Sequence, residues 1–571
     1  MNREDQPKWL VPAMLTLVVL TTTAAMILEM KKKKHEQQLF TKRLEENEDR
    51  QVYFIGGGLA SLAGAVYLIR DCGLKGENIH IIEGLKILGG SNDGAGDAQH
   101  GFIARGGRML NEETYENFWE LLSDIPSLDY LGKSVTEEIL NFDHLHPTHA
   151  QARLVDKDGN ILDVTKMGFD QEDRLALGKL MITPENELDD LMIQDWFPPH
   201  FFETNFWYMW QTTFAFQKWS SLFEFRRYMN RMIFEFSRIE TLEGVTRTPY
   251  NQYDSVILPL QHYLEQHQVD FSINARVTDI DFAPGNGITA TAIHIEEAEG
   301  RRTIKLRPKD ICMMTNGSMT DNATLGDFNK RAEYCPDEPM SAELWARVAE
   351  KKPGLGNPEP FFGHPDKTNW ESFTVTCRGN LLLKLIEQKT GNIPGSGALM
   401  TFKDSSWLMS IVIAAQPHFK NQPMNTTIFW GYGLFTEVEG DYVKKTMRMC
   451  TGKEILIELI HHLHLEDQMN KIMNSIVNVI PCMMPYIDAQ FQPHKMGDRP
   501  QVVPEGSTNF AMISQFVEIP EDMVFTEEYS VRAARIAVYK LFDVKHKKVC
   551  PVTAYNKNPT VLIKALKKSF S

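Results

Sequence analysis

Hydrophobic and polar positions fall into distinct kinds of stretch along this chain. Short apolar runs rich in β-branched residues predict buried parallel strands at Val52–Ile55 and Ile79–Ile82. Between them, Leu59–Arg70 repeats its apolar residues at helical spacing. Asn111–Leu122 reads as a helix, with Asn111 as its N-cap and Glu112 and Glu113 in the first turn. Further strands are expected at Val269–Phe282, Ile288–Glu296, Asp310–Thr320, Thr401–Ala415 and Thr426–Gly433, and a helix at Glu454–Leu463. Trp345–Gly391 reads as helical or loop-like. The alternation predicts an α/β protein.

One run breaks this pattern. Leu10–Leu28 is 19 residues long and carries no charge, just enough to cross a bilayer as a helix. Lys31–Lys34 follow it, while Arg3, Glu4, Asp5 and Lys8 before it carry mixed charge. Positive-inside logic then predicts a single-pass membrane anchor with the body on the cytosolic side. A cleaved signal peptide would carry its positive charge before the apolar run rather than after it. His35–Arg50 reads as a charged tether.

At 571 residues the chain is too long for one core, so two to four domains are expected. With 43% hydrophobic and 24% charged residues, wholesale disorder is excluded. A formal net charge of −15 argues against a nucleic-acid-binding body. The cysteines (Cys72, Cys312, Cys335, Cys377, Cys450, Cys482 and Cys550) are scattered and form no CxxC pair. They suit a reducing compartment and offer neither a zinc site nor a redox dithiol, and no metal is expected.

The candidate chemistry starts at Gln51–Glu83. Gly56, Gly57 and Gly58 make a tight turn between strand and helix, and Glu83 closes the second strand. That order lets a backbone approach a pyrophosphate at a helix N-terminus and puts a carboxylate where a ribose diol is held. Ser61 stands where the fingerprint has its third glycine. The competing reading is a merely tight strand–helix turn. Leu88–Asp97 (LGGSNDGAGD) can wrap a cofactor through backbone amides or be an ordinary flexible loop. Phe102–Leu110 brings Gly106, Gly107 and Arg108, the last able to neutralise a phosphate or simply to carry surface charge. Asp310–Thr320 ends in Asn316, Gly317 and Ser318, at a strand end where ligands of doubly wound sheets collect.

Trp196–Tyr228 holds fourteen aromatic residues. That density suits an apolar wall for a long aliphatic ligand, although composition alone favours core or dimer interface. Arg226, Arg227 and Arg231 beside Tyr228 suit a carboxylate or plain water. The tail, Val544–Ser571, gathers lysines around Val561, Leu562, Ile563 and Leu566, as for an anionic membrane surface. Solvated helix ends look much the same.

Several of these runs are long and idiosyncratic: IGGGLASLAGAVYLIRD, IIEGLKILGGSNDGAGD, RGGRML, FWYMWQTTFAFQKWSSLFEFRRYMNR, TPYNQYDS, TNGSMTDNATLGD, TFKDSSWLMSIV, FWGYGLF, MGDRP and PEGSTNFAMISQFVE. From about Gln51 to its end the chain resembles the oleate hydratase family, also called myosin-cross-reactive antigens. The resemblance implies FAD in a Rossmann-like domain, an inserted substrate or lid domain with a fatty-acid tunnel, a helical C-terminal region and often a homodimer. It implies addition of water to the cis double bond of a free unsaturated fatty acid, oleate to 10-hydroxystearate being typical, with no net redox change. The implied acid is a tyrosine matching Tyr228. The family's glutamate after RGGR is Met109 here, and a thioether takes no proton at neutral pH. Glu112, Glu113 or, for water positioning, Gln252 are the substitutes considered. The implied FAD contacts are Gly56, Gly58, Ser61, Glu83, Gly90, Ser91, Gly107, Arg108, Met109, Val277, Asn316, Ser318, Ser507 and Thr508. Pattern and resemblance support the first four together; the others rest mainly on the resemblance.

These readings divide the chain into an anchor at 1–30, a linker at 31–50 and FAD-domain parts at 51–130, 246–340 and 481–530. A substrate/lid region is expected at 131–245, a substrate domain at 341–480 and a helical basic region at 531–571. The alternatives to a hydratase are an FAD-dependent double-bond isomerase or oxidoreductase and a non-catalytic lipid and flavin binder.

Overall fold

The computed structural model describes residue 31 and residues 47–92, 94–105, 109–397 and 399–571. At its centre, four-residue apolar runs pair in parallel. Val52–Ile55 (β1) lies between Ile79–Ile82 (β2) and Ile311–Met314 (β4), with Asp270–Ser272 (β3) beyond β2 and Phe510–Met512 (β5) beyond β4. Val52, Phe54, Ile81 and Met313 have no exposed surface, as a parallel sheet covered on both faces requires. Helix Leu59–Cys72 (α1) packs on this sheet so tightly that a Cβ at Gly64 would sit 2.6 Å from the Phe54 ring. It stops at Gly73, whose left-handed backbone (φ 66°) returns its N–H to Leu68. Residues 222–231 (Leu222–Arg231, α2) and 527–541 (Glu527–Leu541, α4) are the other helices that matter for the site, and α4 packs against α1; 452–462 (Gly452–His462, α3) packs by the second sheet.

A second, seven-stranded sheet is built around Trp370–Arg378, paired antiparallel with Thr426–Gly433 and Ile476–Met484. The central strand falls within Trp345–Gly391, expected as helix or loop. Its sequence, WESFTVTCR, has no apolar run, because its serine, threonine and glutamate side chains are buried as well. Thr401–Ala415 is two strands, Leu399–Phe402 and Ser410–Val412, because a turn with Leu408 at φ 46° intervenes.

Glu371 in that central strand is fully buried, and neither carboxyl oxygen has a hydrogen-bond partner. Burial pushes its pKa well above the ordinary range. Folding therefore carries a proton onto Glu371 at any pH between the ordinary glutamate range and that raised value. Across this window each pH unit lowers stability by about 1.4 kcal/mol. Glu371→Gln is expected to raise the Tm by about 2 °C or more at pH 8, with the gain vanishing near pH 4. A gain independent of pH in thermal melts would contradict this.

The expected transmembrane helix needs correction. Among the described residues no helix is long and apolar enough to cross a membrane. The longest, α4, has 15 residues, which at 1.5 Å per residue reach about 22 Å against the ~30 Å of a hydrocarbon core. With no spanning helix among the described residues, the single-pass anchor and the membrane localisation drawn from it are not supported; Leu10–Leu28 itself lies outside those residues. At the other end, Pro559–Ser569 is a helix that leaves Ile563, Leu566 and Phe570 exposed, while Lys568 is tied to Glu240.

Candidate active site

The C-terminal ends of β1, β2, β4 and β5 open onto a cleft of about 350 Å³, the place where ligands bind in open α/β sheets. Gly56 turns the chain out of β1 with φ +94°, and a side chain there would run into Thr315. The Gly57 N–H donates to Glu83 Oε2 at 2.6 Å, and the Leu85 N–H donates to Oε1 at 2.8 Å. Burial raises the Glu83 carboxyl, against the lowering pull of those amides. Helix α1 starts at Gly58 with no side-chain cap, leaving its first amides and its positive dipole end for an anion. Gly90, with φ +58°, comes close enough that a Cβ on Gly58 would meet its Cα at 3.8 Å. A glycine turn, an uncapped helix N-terminus and a carboxylate after the second strand fit a dinucleotide, and are consistent with a flavin.

Of the residues put forward for the cofactor, Gly56, Gly58, Glu83, Gly90, Ser91, Val277 and Ser318 line this cleft. Ser61 is fully buried within α1, and Asn316 is buried while bonding Phe516 O and the Ser514 hydroxyl; neither lines it. Ser507 and Thr508 lie before β5, at the strand end away from the cleft, where Ser507 bonds Phe510 O and Thr508 meets Thr289. Residues after β5, Ser514 and Gln515, line it instead. Gly107 and Arg108 lie outside the described residues. Arg105 and Asp321 also line the cleft. Asp321 accepts from the Ser341 hydroxyl and the Ser318 N–H, and burial pushes its carboxyl up to about 6.

A second cavity, about 90 Å³, holds Met109, Phe214 and Tyr228 among its walls and shares Phe525, Thr526 and Glu527 with the first. The two spaces meet at the start of α4. Tyr228 comes from α2, which Ser221 caps by accepting the Glu224 N–H. Phe214, Phe216 and Phe491 surround its ring at 5.0–5.9 Å, and its hydroxyl donates to Val524 O. Burial above all, with Tyr115 and the buried acid Glu224 adding to it, holds its pKa well above 10. The phenol therefore keeps its proton throughout the neutral range, the state a proton donor needs.

The other members of the aromatic stretch are mostly core: Phe201, Phe206, Trp207, Trp210 and Phe225 are buried against one another. Arg227 pairs with Glu185 and Glu518, and Arg231 with Glu116 and Asp522. These arginines hold the fold. Glu112 faces His144, Glu113 pairs with Arg238, and neither lines either cavity. Gln252 is buried beside Thr248 and lines neither.

Two carboxylates do reach the Tyr228 cavity. Glu235 is clamped by Arg238 at both oxygens and by Asn111. Glu527 stands in the first turn of α4 after the Thr526 cap, and its Oε1 accepts from Asn92 Nδ2 at 2.6 Å. It is the carboxylate common to both cavities among the described residues. Nothing in its local sequence, FTEEYS, marks it.

The MCRA family matches residues 49–539. The linoleate hydratase of Lactiplantibacillus plantarum is 40% identical over 557 residues, covering 90% of this chain and 98% of that protein. The oleate hydratase of Streptococcus pyogenes serotype M49 (strain NZ131) is 38% identical over 522 residues, covering 88% and 87%. Among solved structures, an oxidoreductase from Methanosarcina mazei superposes loosely, with a TM-score of 0.46 at 11% identity over 86% of this chain and all of that one.

Proposed function

The chain belongs to the MCRA family, and on that premise we propose that it is a fatty-acid hydratase acting on free unsaturated fatty acids of the oleate and linoleate class. The observation that carries this reading is the junction at α4, where the glycine-lined cleft abuts an apolar cavity walled in part by the buried Tyr228. An isolated alkene is a weak base. Hydration needs an acid to protonate one carbon while a water oxygen bonds to the other, both held away from bulk solvent. In this reading Tyr228 gives the proton and Glu527 takes one from the attacking water, since both line the same cavity. The proton left on Glu527 returns to Tyr228 through solvent, so the cycle consumes one alkene and one water. At 90 Å³ the cavity is well below the ~300–1,000 Å³ that encloses a whole ligand. It suits the reacting carbons, and the rest of an acyl chain must lie beyond it.

The group proposed for the first cleft is FAD. Gly56, Gly58, Gly90 and the α1 N-terminus would hold its phosphates, and Glu83 a ribose. When bound, it would supply polar, charged surface rather than a net transfer of electrons. Gly56→Val, strained by its positive φ and blocked by Thr315, is expected to lower bound flavin per purified chain at least tenfold. Retention of a full equivalent after gel filtration would contradict that placement. The reaction class itself is tested by incubating the FAD-loaded chain with oleate and with linoleate. A product heavier by one water supports the hydratase, whereas a shifted double bond without added mass, or no product, overturns it.

A further inference from the structure

Far along the chain from both cavities, a loop and a helix of the second-sheet region bring two carboxylates and an imidazole together. Glu458 and His462 lie one turn apart on α3, so their side chains share a face. Glu458 is fully buried and gathers the loop opposite it. Its Oε1 accepts the Asp441 N–H at 2.6 Å, and its Oε2 accepts the Tyr442 and Val443 N–H groups at 3.1 and 2.7 Å. That grip brings the Asp441 side chain over the helix. Asp441 is fixed in turn by Ser406, whose N–H donates to Oδ2 at 2.8 Å and whose hydroxyl donates to Oδ1 at 2.6 Å.

His462 Nε2 lies between them, 3.5 Å from Asp441 Oδ2 and 3.5 Å from Glu458 Oε1. The residue is only 6% exposed, and this nitrogen makes no hydrogen bond. The ring is held by Phe402, stacked at 5.3 Å, and by Tyr442, edge-on at 5.3 Å. An N···O separation of 3.5 Å is too long for a good hydrogen bond. It does match the edge of a coordination tetrahedron. With metal–nitrogen and metal–oxygen bonds of about 2.0–2.2 Å, neighbouring ligand atoms sit roughly 3.4 Å apart. All three donor atoms lie within 4.8 Å of one another. Asp441 Oδ2 accepts one N–H and keeps a further lone pair for an ion, and Glu458 Oε1 has one once the Tyr442 N–H it shares at 3.3 Å rests on Oε2 at 3.1 Å.

We propose that Asp441, Glu458 and His462 form a divalent-metal site, with Zn²⁺ the best match to one imidazole and two carboxylates. Asp441 is partly exposed, which leaves a coordination position for water. The ion would clamp the Gly440–Val443 loop onto α3, a structural role independent of the hydration chemistry. The competing arrangement is an imidazolium wedged between two carboxylates with no metal.

The test uses the full chain, stripped with chelator and titrated with zinc chloride by calorimetry, then with Co²⁺ by visible absorption. One zinc per chain, a higher Tm with zinc than without, and the d–d bands of four-coordinate Co²⁺ are expected. His462→Gln should lose that equivalent and the zinc-dependent rise in Tm. His200→Ala, which breaks the partly exposed Asp170–Asp173–His200 cluster, should keep both. Absence of binding and of any Tm response in the stripped wild-type chain would overturn the proposal and leave the imidazolium pair. So would zinc that survives His462→Gln but is lost in His200→Ala. Because the wild-type arm decides on its own, a poorly folding His462 variant does not rescue the proposal.

Discussion

Tyr228→Phe is expected to lower hydroxy-fatty-acid formation about 10²–10⁴-fold, the range a positioned general acid contributes, with little change in fatty-acid affinity. The ring and its packing against Phe214, Phe216 and Phe491 survive the change. What goes is the O–H, and with it the partner of Val524 O. Leaving that carbonyl unpaired costs about 1–3 kcal/mol of stability, which a thermal melt separates from the catalytic loss. The pH profile gives a second reading. Because burial holds Tyr228 protonated well past neutrality, the wild-type rate should show no alkaline fall from this group up to pH 9. Turnover of the phenylalanine variant within a few-fold of wild type would remove Tyr228 from the mechanism.

Glu527→Gln is expected to lower kcat about 10²–10³-fold while KM stays within a few-fold. Glutamine has the same shape and can still accept from Asn92, but it cannot take a proton from water. Glu112→Gln removes a carboxylate that lines neither cavity and should leave turnover unchanged. A silent Glu527→Gln alongside an impaired Glu112→Gln, measured as initial rates across pH, would reverse the assignment.

The glycine-lined cleft is written locally. In Gln51–Glu83 the strand, glycine turn, helix and acid follow one another within a single βαβ unit, so their spacing in sequence is their geometry in space. The Ser507–Thr508 expectation fails to reach the cleft for an equally plain reason. In a parallel sheet only residues after a strand meet the ligand, and those are Ser514 and Gln515. The aromatic stretch could not be divided from sequence, because a ring facing a cavity and a ring in the core have the same composition. Phe214 and Tyr228 face the cavity, whereas Trp207 and Trp210 do not.

Glu527 was illegible for a different reason. It reaches Asn92, in the Gly90–Asn92 turn, across 435 residues of chain, so only the folded chain brings them together. Hydropathy misled twice. An apolar run of spanning length predicted an anchor that no helix among the described residues provides. A strand of buried polar residues at Trp370–Arg378 showed no apolar run at all.

In the proposed reaction water adds across an isolated double bond while the flavin moves no net electrons. The direct measurement is incubation of the reduced, FAD-loaded chain with oleate in doubly labelled water carrying heavy oxygen and deuterium, with the flavin spectrum followed throughout. The expected product is a hydroxy fatty acid with one heavy oxygen on one former alkene carbon and one deuterium on the other, while the flavin remains reduced. Product without heavy oxygen, or product formed in step with flavin oxidation, would contradict the account.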